Sequence, residues 1–153
     1  FFCFTNSYSQ ENSIVVDIDF LVENSKKGKI LQKEISSKRE KNSKKFKAIE
    51  KDLMEKEKKL ISKKNILSEK DFNDELKNFQ NEVKKYNENK KNETDKLRKF
   101  RNESLSKLVI EINSIILDYS KKNNIFMAID KKYVLLVKSE NDITQKILEI
   151  LNK

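Results

Sequence analysis

Thirty-one lysines and three arginines stand against twenty-five acids in this 153-residue chain, and cationic recognition is the chemistry its side chains most plainly offer. The surplus is unevenly placed. Lys26 to Lys64 holds sixteen bases and six acids, whereas the first twenty-five residues carry four acids and no base. Leu67 to Lys107 is close to balanced, with eleven bases and nine acids. A concentrated excess suits nucleic acid, anionic lipid or an acidic polypeptide. It is equally what a solvated helix face looks like in a chain this rich in lysine and asparagine. Other chemistry has little to work with. The absence of histidine and the single cysteine exclude histidine acid–base catalysis, a Cys/His zinc site and an internal disulfide. No acid accompanies a histidine, a cysteine or a glycine-rich loop in a plausible cleft, so the expected catalytic residues, metal ligands and cofactors are none.

The element that must carry this charge runs from Lys26 to Lys122, without proline and with one glycine, Gly28, near its start. Nearly a hundred residues rich in Lys, Glu, Leu and Asn with no further breaker read as helix. Apolar residues recur at Phe46, Ile49, Leu53, Leu60 and Leu67, then at Phe72, Leu76, Phe79, Val83 and Tyr86. Steps of three and four make a narrow coiled-coil seam, with lysine at some of its positions (Lys56, Lys63). Between the runs, Ser68 followed by Asp71 is an N-cap with acid in the first turn, which predicts an out-and-back helical hairpin. The outgoing helix, of about forty residues, would be on the order of 60 Å long. The returning helix is predicted from Glu69 to Tyr119. Its seam goes polar at Lys90 and Glu93 and resumes at Leu97 and Phe100, and the step from Leu97 to Leu108 is eleven residues, a stutter that relaxes supercoiling. Leu105, Leu108, Ile112, Ile115 and Tyr119 then give a much more apolar base.

The flanks have a different period. Phe1-Phe2-Cys3-Phe4 followed by Ser7-Tyr8-Ser9 reads as the end of a signal peptide cleaved before Gln10, which makes residues 1–9 a remnant and places the mature protein outside the cytoplasm. Ile14 to Ile18 reads as a strand, Asp19 as the cap of a short helix through Glu23, and residues 24–28 as a turn. Ile125 to Ile129 and Tyr133 to Val137 read as two strands joined at Asp130-Lys131-Lys132. Ser139 to Asp142 would cap a last amphipathic helix lined by Ile143, Ile147, Leu148, Ile150 and Leu151.

The expected fold is α+β and predominantly helical: a long antiparallel coiled-coil hairpin, 26–122, on a small β-body formed by 10–25 and 123–153. With 39% of residues charged, that body and the hairpin base fall below the ~70–80 residues at which a lone core is comfortable. Disulfides and metals being excluded, oligomerisation remains as the staple, with strands shared between subunits. The expected assembly core is Ile14, Val16, Leu108, Ile112, Ile115, Ile129, Val134, Leu136 and Ile147.

Ile14-Val15-Val16-Asp17, Asn24-Ser25 ahead of Gly28-Lys29, and Asp142-Ile143-Thr144 before a C-terminal helix resemble the Skp/OmpH periplasmic chaperones. The order of elements agrees over the whole predicted mature chain. The resemblance implies a homotrimer whose hairpins enclose a cavity, and ATP-independent holding of unfolded outer-membrane proteins in the periplasm. It also implies contact with lipopolysaccharide or another anionic lipid through basic residues of the returning helix, here Lys96, Arg98, Lys99 and Arg101, interrupted by Phe100. Exposed arm residues Phe46, Phe72, Phe79, Tyr86 and Phe100 are then candidates to touch the client, against the plainer assignment of these aromatics to the seam. The alternative class is a structural or nucleic-acid-binding basic coiled coil, which gives the terminal strands no role; the chaperone reading expects no nucleic acid.

Overall fold

The computed structural model describes residues 12–153, and the expected signal-peptide remnant lies outside them. In order come strand β1 (Ser13–Val16), helices α1 (Ile18–Asn24), α2 (Lys26–Lys63) and α3 (Glu69–Lys122), strand β2 (Met127–Asp130), two single turns of 3-10 helix, and helix α4 (Thr144–Leu151). The chain divides into two units. One takes the sequence up to Gln32 together with Glu103–Lys153, and the other is Lys33–Asn102.

The first unit, the body, is built on β1. This strand pairs in parallel with β2, Ser13 opposite Met127 and Val16 opposite Asp130, and Val15 also bridges to Asp142. The strand stops at Val16, two residues earlier than the expected Ile18. Asp17 turns its carboxylate back to accept from the Phe20 amide at 2.8 Å, so it, and not Asp19, caps α1. Ile14 and Val16 then meet Leu21, Leu108, Ile112, Ile116, Ile143, Ile147 and Leu151 in one buried cluster. The base of the hairpin belongs to this unit because α3 supplies a third of that core.

Gly28 lies inside α2, not in a turn. The break between α1 and α2 is one residue, the fully buried Ser25, whose hydroxyl accepts from the Gly28 amide at 3.0 Å and so caps α2. A Cβ on Gly28 would stand 1.7 Å from the Val22 carbonyl oxygen. Glycine is required there for close approach of backbones. The returning helix runs three residues past Tyr119 and stops where Asn124 takes a left-handed conformation, φ 52°.

Two strand expectations are corrected. The second strand starts two residues late, at Met127, and its partner is β1 in parallel rather than the following segment. Tyr133 to Val137 forms no strand. Asp130 caps a 3-10 turn over Lys131–Tyr133 by accepting from Lys132, and the residues beyond it find no ladder among the described residues. Helix α4 keeps Ile143, Ile147 and Leu151 inward while Ile150 turns outward.

In the second unit, the arm, α2 and α3 run antiparallel. Lys38 lies over the Phe100 ring, Phe46 meets Tyr86, Lys56 pairs with Glu82 and Lys63 with Glu75, so each step out along α2 matches a step back along α3. At the turn the Ser68 hydroxyl accepts from the Asp71 amide and donates to its carboxylate, the cap its spacing predicts.

Candidate interaction surfaces

The arm's candidate contact residues are placed by its heptads. Phe46, with Leu60 the only buried apolar residue of the unit among those described, takes Tyr86 edge-on at 5.9 Å between ring centres. Phe72, Phe79, Tyr86 and Phe100 are half-buried. All five aromatics are thus buried or half-buried, in keeping with their plainer assignment to the seam rather than with an exposed client surface. Two facing helices shield a seam from two sides only, and polar ties complete it. Glu50 accepts from the Tyr86 hydroxyl and from Lys90 at 2.7 Å. Those bonds, Lys90's first, hold the Glu50 carboxyl below its ordinary range, and Glu50 in turn raises the Lys90 ammonium. Lys56 is likewise raised, by Glu82 and then Asp52.

The lysine surplus of α2 thus splits. Lys56 and Lys63, beside the seam, are paired across the hairpin at 2.7 and 2.8 Å. Lys47, Lys51 and Lys58, on the side turned away from α3, are exposed and make no ion pair. Met54, Ile61 and Ile66, which the sequence reading passed over, are 64%, 65% and 80% exposed. Their signal was available: Met54 and Ile61 each follow a seam leucine by one residue and so stand about 100° off the seam.

The basic run of α3 is not a single cluster. At 100° per residue Lys96, Arg98, Lys99 and Arg101 spread around the helix. Lys96 binds Glu93 at 2.8 Å and lowers its pKa, and Arg98 binds Asp95 at 3.0 Å. Lys96 instead lines a groove of about 300 Å³ with Lys38, Lys41, Leu97 and Phe100.

In the body, the Asp-Ile-Thr triplet has a structural task. Asp142 accepts from the Thr144 amide and hydroxyl, Thr144 accepts from the Asp17 amide at 2.9 Å, and the Ile143 amide donates to Val15. Together they tie the start of α4 to the end of β1. Burial works to raise the Asp142 carboxyl, but Lys131 and Thr144 outweigh it and hold it below its ordinary value. Asp17, Lys131, Asp142 and Thr144 line an open groove of about 550 Å³, where their polar atoms are engaged with one another. Among the described residues no three His, Cys, Asp or Glu side chains could share a metal ion, and no helix is long and apolar enough to cross a membrane.

Of the expected assembly residues, Ile14, Val16, Leu108, Ile112 and Ile147 fill this chain's own core and Ile115 packs against it. Ile129 and Val134 are half-buried, while Leu136 is 90% exposed beside a fully exposed Leu135. Ile110, Leu117, Phe126 and Tyr133 are exposed as well, and Leu117 and Phe126 line one groove. Next to Leu117 and Phe126, the buried Ser120 hydroxyl has no hydrogen-bond partner.

A parallel strand pair with a short C-terminal helix, and two long antiparallel helices between the strands in sequence, define a predominantly helical hairpin protein. Residues 12–151 match the family described as outer membrane protein (OmpH-like), and the chain belongs to that family. A crystal structure from Caulobacter crescentus, described as that of an OmpH-like outer membrane chaperone, has the same fold at a TM-score of 0.85. The likeness covers 99% of this chain and 90% of that one at 16% sequence identity. No curated protein gives a significant match.

Proposed function

We propose that this protein is an ATP-independent holdase of the periplasm that binds unfolded outer-membrane proteins between helical arms and keeps them from aggregating. The family match across 12–151 carries this reading. The arm gives it a physical basis. A holdase binds many chains weakly and lets them go without an energy source, which calls for shallow contacts and adaptable surfaces rather than one pocket. Unpaired lysines on α2 attract acidic clients over roughly a Debye length of about 8–10 Å.

Assembly as a homotrimer is part of the proposal. Exposed large apolar side chains such as Leu117, Phe126, Leu135 and Leu136 favour a protein–protein surface. Among the described residues the outer edge of β2 has no partner strand, and its backbone groups are open to one from another subunit. The copy number follows the family resemblance. The test combines two measurements on the purified protein. Light scattering should give three times the chain mass, and substoichiometric trimer should suppress the turbidity of an unfolded β-barrel diluted from urea, with no nucleotide present. A monomer that leaves turbidity unchanged would overturn the reading.

A further inference from the structure

We propose that the outer face of α2 near the hairpin turn is a capture strip for acidic, apolar-bearing segments of unfolded polypeptide. Met54, Ile61 and Ile66 are its apolar anchors, and Lys47, Lys51 and Lys58 its attracting charges. This rests on the holdase reading and names the residues through which the arm first meets its client.

The strip is a second heptad stripe. Lys47, Lys51, Met54, Lys58 and Ile61 follow one another in steps of four, three, four and three. That is the rhythm of the seam, yet these five lie within about 80° of arc on another side of the helix. No acid falls on that arc between Lys47 and Ile61. Each apolar side chain is bracketed by lysines three or four residues away, close enough to act on one ligand. Ile66 lies in the turn three residues past the end of α2, where it is the most exposed large apolar residue of the arm. α3 takes no part, since its acids reach Lys56 and Lys63 beside the seam.

Charge decides the occupant. Lys47, Lys51 and Lys58 make no ion pair, although Glu50 lies near enough to Lys47 to feel its charge, and they fit a partner that brings its own carboxylates. A second copy of this arm would bring lysines against lysines, so self-pairing through the strip is disfavoured. A helix that lies in a lipid surface segregates a continuous apolar face from a charged one. Here the two kinds alternate along one line, which suits a chain whose own apolar and acidic side chains are interspersed.

The test uses the full chain. One variant is Met54→Ser/Ile61→Ser/Ile66→Ser, and the other is Lys47→Glu/Lys51→Glu/Lys58→Glu. The probe is a fluorescently labelled, net-acidic β-barrel protein diluted from urea, followed by anisotropy in stopped flow. The serine variant should bind about tenfold more weakly with unchanged mass and melting. The glutamate variant should associate about tenfold more slowly at low salt and like the parent in 1 M salt. Parent-like binding by both variants, with the parent still suppressing aggregation, would overturn the strip and leave the holdase reading standing. Failure of the parent itself to suppress aggregation would sink both. If the variants lose only sedimentation with phosphatidylglycerol vesicles and keep the client, the strip is a lipid contact and the proposal falls.

Discussion

The body and the arm are made by the same two helices, yet they are held together differently. In the body, nine buried apolar residues from two strand-forming and helical ends of the chain close around Ile112 and Ile147, both fully buried. In the arm, Phe46 and Leu60 are the buried apolar residues, and ion pairs at Lys56–Glu82, Lys63–Glu75 and Lys90–Glu50 span the rest. A helix needs neighbours on more than one side to bury a wide stripe, and α3 has β1, α1 and α4 as company only in the body. Substitutions should therefore be costly in one unit and mild in the other. Under the proposed holdase function the arm has reason to be the weaker one, because surfaces that adapt to a partner come from the low-stability end of a structure.

Ile112→Asp should show the largest effect. It places a charge where the native side chain has no exposure, a change that exceeds about 4 kcal/mol in severe cases. Loss of the cooperative melt by circular dichroism is expected, and a parent-like melting temperature would end the claim that Ile112 lies at the centre of the core.

Gly28→Ala comes next and carries an unusual sign. In an exposed helix interior, alanine for glycine stabilises by up to about 1 kcal/mol. Here the added methyl meets the Val22 carbonyl at 1.7 Å, so α1 and α2 must part, and a loss of about 1–3 kcal/mol should appear in urea titration. A gain would mean that the Ser25 break is not as tight as described.

Lys56→Ala and Lys63→Ala should be mildest. Both are exposed cross-helix pairs, worth at most about 1 kcal/mol, and should barely move the melt while raising hydrogen exchange near Glu75–Glu82. A large drop in melting temperature from either would erase the contrast between the units, because the arm would then depend on its ion pairs as strongly as the body depends on its core.

Much of this was legible in the sequence because it is local. The hairpin follows from a long run free of proline, from steps of three and four, and from Ser68 capping Asp71. Resemblance in Ile14–Asp17 and Asp142–Thr144 pointed to the OmpH-like family, to which the chain belongs. The parallel pairing of β1 with β2 was not legible, since it joins residues more than a hundred positions apart and leaves no mark on either strand. Nor was the fate of Tyr133–Val137: β-branched and aromatic residues make a strand only where a partner's ladder is offered, and none of the described residues offers one. Gly28 read as a turn because glycine usually serves one, and only the Val22 carbonyl packed against it reveals the need for space. The lysines of α2 were countable from the start. Which of them are paired was decided by acids on both helices: α3 reaches Lys56 and Lys63 beside the seam, and α2's own Glu34, Glu40 and Asp52 take Lys38, Lys44 and Lys56 one turn away.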